Sequence, residues 1–99
     1  PMADTTSMPE FEGFQWSGGN AEKNWEHHGV APAESEQVFF NRPLLVGDDV
    51  KHSSREKRWY ALGQSDEGRE LFIAFTMRNR LIRVISSRDM SREERRIYR

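Results

Sequence analysis

Ninety-nine residues with 31% charged side chains and a mean hydropathy of −0.87 leave room for one domain with one modest core and exclude a second. Three Trp, two Tyr and six Phe are enough to nucleate that core, which excludes wholesale disorder. The net charge of −1 divides unevenly: residues 1–50 hold nine acids against Lys23 and Arg42, and residues 51–99 hold thirteen bases, eleven of them Arg, against seven acids.

The arginine fork suits phosphate and carboxylate, so the second half favours a polyanion or an acidic partner. In chain order, residues 1–10 lack periodicity and read as a disordered tail, with a single domain over 11–99. Phe14 and Trp16, alternating with Gln15, predict a short first strand with both rings toward the core. Ser17 suits the N-cap of a helix over about 19–28, whose stripe is Ala21, Trp25 and His28, and Gly29 ends it in a left-handed cap. Pro32 fits the first turn of a second helix running to about Phe40, with Ser35, Val38 and Phe39 buried, before Pro43 stops it. Leu44 to Val46 form a strand, residues 47–55 a polar loop, and Arg58 to Leu62 the next strand. Ser65 to Gly68 turn the chain into its longest apolar run, Leu71 to Met77, which suits a central strand. Arg78-Asn79-Arg80 breaks the run at an Asn tolerant of positive φ, and the chain returns antiparallel. Alternation sends Leu81, Arg83, Ile85 and Ser87 to one face of the return strand and Ile82, Val84, Ser86 and Arg88 to the other. Ser91 and Glu94 form a capping box for a last helix of mostly Arg and Glu.

Links from Leu44 onward are too short for helical crossovers. The expected fold class is therefore α+β, an antiparallel β-sheet with two N-terminal helices on one face and a C-terminal helix. With no cysteine there is neither a disulfide framework nor a thiolate nucleophile, and a reducing compartment fits. No spanning-length apolar run and no signal-peptide pattern occur, so a cytoplasmic protein with no membrane partner is expected. No metal or cofactor is expected either: His27 and His28 point about 100° apart on a helix, and Asp48-Asp49 is too sparse for a two-metal nuclease.

Several motifs, in order, resemble the BrnT-type toxins of bacterial type II toxin-antitoxin pairs. They are Phe14-x-Trp16, Asn24 with His28-Gly29-Val30, Val38-Phe39, the loop elements Asp49, His52, Glu56 and Arg58, Thr76-x-Arg78, Ile82 to Arg88, Glu94-Arg95 and Tyr98. The chain departs from that pattern at Ser17 (usually Asp), Asn20 and His27 (usually Lys) and Ser87 (usually Ala). The resemblance implies a RelE-like fold and a metal-independent endoribonuclease that arrests translation. It also implies a cognate BrnA-like antitoxin of the ribbon-helix-helix kind, which supplies the only DNA contact and allows a toxin-antitoxin heterotetramer.

Metal-free RNA cleavage needs a base for the 2′-hydroxyl, an acid for the leaving oxygen and cations for the pentacoordinate phosphorus. His52 is the expected acid or base, with Arg58, Arg78 and Arg88 cradling the phosphate. Lys51, Arg55, Arg80 and Arg83 are expected to guide the RNA backbone, and Tyr98 to stack a base. Read without the resemblance, the same basic half also suits a non-catalytic module that binds RNA or an acidic protein.

Overall fold

The apolar run at the middle of the sequence becomes the middle of a sheet. A computed structural model describes residues 7–53 and 55–99. Five strands lie in the order β1 (Gly13–Phe14), β5 (Leu81–Asp89), β4 (Glu70–Arg78), β3 (Trp59–Gln64) and β2 (Leu45–Asp48). β2 through β5 pair antiparallel, as their short links require, whereas β1 runs parallel to β5. The sheet is thus mixed at one edge, a pairing that the links after Leu44 do not constrain. At the β4–β5 reversal Asn79 and Arg80 both take positive φ, 52° and 65°, as a twisted two-residue hairpin demands.

Alternation along the strands divides the molecule into two layers of packing. Ala61, Leu71, Ile73, Phe75, Ile82 and Val84 face helices α1 (Gly18–His28) and α2 (Pro32–Val38), where Val30, Val38 and Phe39 complete the core. Gly63 lets α2 approach this closely, because a Cβ there would come within 2.6 Å of Val38 Cγ1. Tyr60, Leu62 and Phe72 face the other way and meet Met90 and Tyr98 of the segment carrying α3 (Arg92–Tyr98). α3 therefore covers one end of the second face, and its Ser91 capping box with Glu94 is present as read from the sequence.

Besides the parallel β1 in a sheet expected to be antiparallel, two further sequence expectations change. The register slips between Ala74 and Phe75, with Ala74 opposite Ser86 and Phe75 opposite Val84, so Ile85 is an extra residue in β5. That bulge reverses the alternation part-way along the strand. Ile82, Val84 and Ser87 share the α1 and α2 side, and Arg83 and Arg88, expected on opposite faces, share the other.

The second change concerns α1, whose expected stripe was Ala21, Trp25 and His28. Trp25 is 59% exposed and His28 is exposed; the face toward the sheet is Asn20 and Asn24. β1 pairs only with Leu81 and Ile82, which leaves the rest of that β5 edge without a strand neighbour. Asn20 Nδ2 donates to the Val84 carbonyl (3.2 Å), and the Ser87 N–H donates to Asn24 Oδ1 (3.2 Å). One turn apart, the two amides continue the sheet edge in place of a strand.

Arg69 ties the helix ends to the sheet. It donates to the His28 and Gly29 carbonyls at the end of α1, to Glu34 in the first turn of α2, and to Asp89 at the end of β5. Of the tail expected over 1–10, residues 1–6 lie outside the described residues. Met8 packs on the core, and Glu10 accepts from Arg80 Nη2 at 3.2 Å.

Candidate active site

The part of the second sheet face that α3 leaves open is bordered by the segment linking β2 to β3. Asp49 and Arg58 close this loop across its neck: the Asp49 N–H donates to the Arg58 carbonyl (2.9 Å). Ser53 Oγ accepts from the Arg58 N–H (3.0 Å) and donates to the Asp49 carbonyl (2.6 Å). Thr76 Oγ1, buried on β4, donates to the Lys57 carbonyl (2.8 Å) and fastens the loop to the sheet.

A single 3-10 turn, Val50–His52, carries His52 back over Asp49. Its Nδ1 lies 3.0 Å from both Asp49 carboxylate oxygens. With Asp49 accepting the Nδ1 proton, Nε2 is the ring atom left for chemistry.

His52, Arg55, Glu56, Arg58 and Arg78 line one cleft of about 460 Å³. Within it Arg78 makes a fork on Glu56, Nε to Oε2 at 2.9 Å and Nη2 to Oε1 at 3.3 Å. The Arg78 hydrogen bond holds the Glu56 carboxyl below the usual range, with the charges of Arg83 and Arg58 acting in the same direction. Arg83 stands opposite Thr76 on the open face and is half-buried. Among the described residues Lys51, Arg55, Arg58 and Arg83 have no carboxylate partner, so the positive charge around the cleft is only partly neutralised.

Other residues expected at the site lie elsewhere. Arg88 is opposite Phe72, and Phe72 is six residues from Arg78 on β4, about 20 Å at ~3.4 Å per residue. There Arg88 stacks on the Phe72 ring (4.2 Å) and forks onto Glu94 at 2.8 and 3.0 Å. Burial opposes the charge on Glu94, but the Arg88 bonds and the Ser91 amide outweigh it and hold the carboxyl below its ordinary range. Tyr98, expected to stack a base, is buried between α3, which it ends, and the sheet, with its hydroxyl donated to the Pro43 carbonyl (2.7 Å). A ring held in that interface has no face open to a nucleobase. Arg80, at the hairpin tip, is drawn to Glu10 and Glu12 instead of the cleft.

Two carboxylates named only among the loop elements of the resemblance, and not as site residues, belong here. Asp49 holds His52 from beside the cleft, its spacing of three from the histidine being the signal, and Glu56 lines the cleft with Arg55 and Arg58, which flank it in sequence. A second groove of about 260 Å³ is lined by Arg92, Arg95 and Arg96 of α3 and by Arg99 just past its end, where Glu70 pairs with Arg95 and Arg99.

A search of curated proteins finds no match to this chain. A protein-family model does match, over residues 16–94, and describes a ribonuclease toxin, BrnT, of type II toxin-antitoxin systems. The chain belongs to the BrnT family. The matched span begins just after β1, ends in the first turn of α3 and contains every residue of the cleft. As a BrnT chain it is a toxin of the ribonuclease class, and a type II system pairs it with an antitoxin. Among the described residues no group of three or more His, Asp or Glu is placed to hold a metal ion, and no helix is long and apolar enough to cross a membrane.

Proposed function

We propose that this BrnT chain is a metal-independent endoribonuclease whose catalytic centre is the His52 cleft, and that its cleavage of RNA inhibits translation. The observation that carries the reading is the gathering of one imidazole, one carboxylate and several guanidiniums in a single open cleft of the sheet. Arginine does not deprotonate in proteins, so the cleft offers two groups for two proton transfers, His52 and Glu56.

Glu56 accepts the proton of the ribose 2′-hydroxyl as the 2′-oxygen bonds to phosphorus. The P–O5′ bond breaks, and His52 Nε2 delivers a proton to the departing 5′-oxygen. The products are a 2′,3′-cyclic phosphate and a 5′-hydroxyl, and no oxidant, water or metal is consumed. Arg58, Arg78 and Arg83 meet the charge on the pentacoordinate phosphorus, a role for which guanidinium forks are suited. Lys51 and Arg55 extend the cation track along the RNA backbone, whereas Arg88 supports the sheet and α3 from below. The partner consistent with the family is a BrnA-like ribbon-helix-helix antitoxin, which holds the DNA and joins the toxin in a heterotetramer.

The test is cleavage of total bacterial RNA by the purified chain with and without chelator, with end-mapping of the products. Cyclic-phosphate ends formed equally in both conditions are expected. His52→Ala and Arg58→Ala each lower the rate by about 10²–10³ while leaving the thermal transition intact. Abolition of cleavage by chelator, or full activity in both variants, removes this reading.

A further inference from the structure

Resting on that reading, we infer that the Glu56 carboxylate occupies the scissile-phosphate subsite of the free protein, and that an RNA phosphodiester displaces it from Arg78. Among the described residues four arginines fork onto carboxylates, Arg69 on Asp89, Arg78 on Glu56, Arg88 on Glu94 and Arg99 on Glu70, and the Arg88 and Arg78 forks differ in what holds the carboxylate. Glu94 is only 13% exposed, accepts the Ser91 N–H (2.8 Å) as part of a helix cap, and its partner Arg88 is fixed against Phe72. That pair is built to stay.

The Arg78–Glu56 pair has none of those supports. Its side chains are 49% and 41% exposed, and among the described residues Glu56 has no hydrogen-bond partner besides Arg78. An exposed pair of this kind contributes little net stability and exchanges readily. Its fork geometry, two parallel N–H donors, is also the geometry by which Arg receives phosphate.

A phosphodiester is the better occupant on two counts. Arg58 and Arg83 lie close enough for their charges to act on Glu56, yet among the described residues neither has a carboxylate partner. A carboxylate offers two oxygens, both taken by Arg78, whereas a phosphate offers oxygens directed at several donors. Exchange also has a chemical consequence: Glu56, released from the Arg78 hydrogen bonds that hold its carboxyl below the usual range, becomes a better acceptor for the 2′-hydroxyl proton. The phosphate thus frees the base that attacks it.

The experiment measures binding of a 2′-O-methyl oligoribonucleotide, which lacks the nucleophilic hydroxyl, and of inorganic phosphate as its competitor, at fixed ionic strength. Wild type, Glu56→Gln, Glu56→Ala and, as a charge control from the same end of the molecule, Glu12→Gln are compared after a thermal melt verifies folding. Displacement predicts that both Glu56 variants bind oligonucleotide and phosphate about fivefold more tightly, while Glu12→Gln changes either by less than about twofold. Unchanged or weaker binding in the Glu56 variants overturns the inference, as does an equal gain in Glu12→Gln. Tighter binding by the Glu56 variants together with wild type inert toward ordinary RNA upholds the subsite and removes the ribonuclease reading instead.

Discussion

Asn24 is 2% exposed and carries an unusual load for one amide. Its Oδ1 satisfies the Ser87 N–H, while its Nδ2 has no partner among the described residues. Replacing it with Ala orphans a buried backbone donor, so Asn24→Ala is expected to cost about 2 kcal/mol in urea unfolding. Thr76 is the opposite case, a residue whose hydroxyl matters to the cleft more than to the core. Thr76→Val removes only the bond to the Lys57 carbonyl. It is expected to lower RNA cleavage about tenfold, with a fall in stability of about 1 kcal/mol, measured by kinetics and melts on one preparation. Asp49 and His52 show how a residue-scale feature escapes the sequence. A spacing of three is common in turns, and only the 3-10 turn converts it into a carboxylate set against Nδ1.

At the scale of elements, the bulge in β5 decides which face each arginine leaves from. Deleting Ile85 closes the bulge and continues the ladder from Phe75–Val84 to Ala74–Ser86, with Ile82, Val84 and Ser87 on one face and Arg83 and Arg88 on the other as they stand now. The expected result is a folded chain with native near-ultraviolet circular dichroism and a change of about 1 kcal/mol in urea unfolding. β4 and β5 were legible because their apolar content is dense and the Asn79 reversal sits between them. α2 was legible because Pro32 starts it and Ser35, Val38 and Phe39 are buried as read. The packing face of α1 was not, since its contact with the sheet edge is made by hydrogen bonds and periodicity of apolar residues carries no such signal.

For the molecule as a whole, acid and salt report on different charges. Glu94, Glu70 and Asp89 have folded carboxyl pKa values below their ordinary 4.5, 4.5 and 3.8, held down by Arg88, Arg99 and Arg69 respectively. Their contribution is present above those ordinary values and is lost as pH falls through the lower folded ones. Stability measured by urea unfolding is therefore expected to hold from pH 7 to about pH 5 and to decline below about 4.5. Arg69→Met, which strips hydrogen bonds from α1, α2 and β5 together, lowers stability at pH 7 by about 2 kcal/mol and makes that acid decline shallower. Salt addresses the cleft. Four cations that have no carboxylate partner among the described residues, Lys51, Arg55, Arg58 and Arg83, predict a slope of about −3 in log affinity against log salt for single-stranded RNA, which Arg58→Ala reduces by about 0.7.

The sequence by itself determined the α+β class, the central hairpin, the caps at Ser17, Gly29 and Ser91, the basic second half and the loop that carries His52. Those features depend on neighbours in the chain, on propensity and on short-range spacing. Only the tertiary structure decided that Arg83 leaves the open face opposite Thr76 while Arg88 and Tyr98 hold α3 to the sheet, and that Glu56 sits among the guanidiniums. One inserted residue in a strand reverses every side chain beyond it, and the direction a strand presents is fixed by pairing with partners far away in sequence.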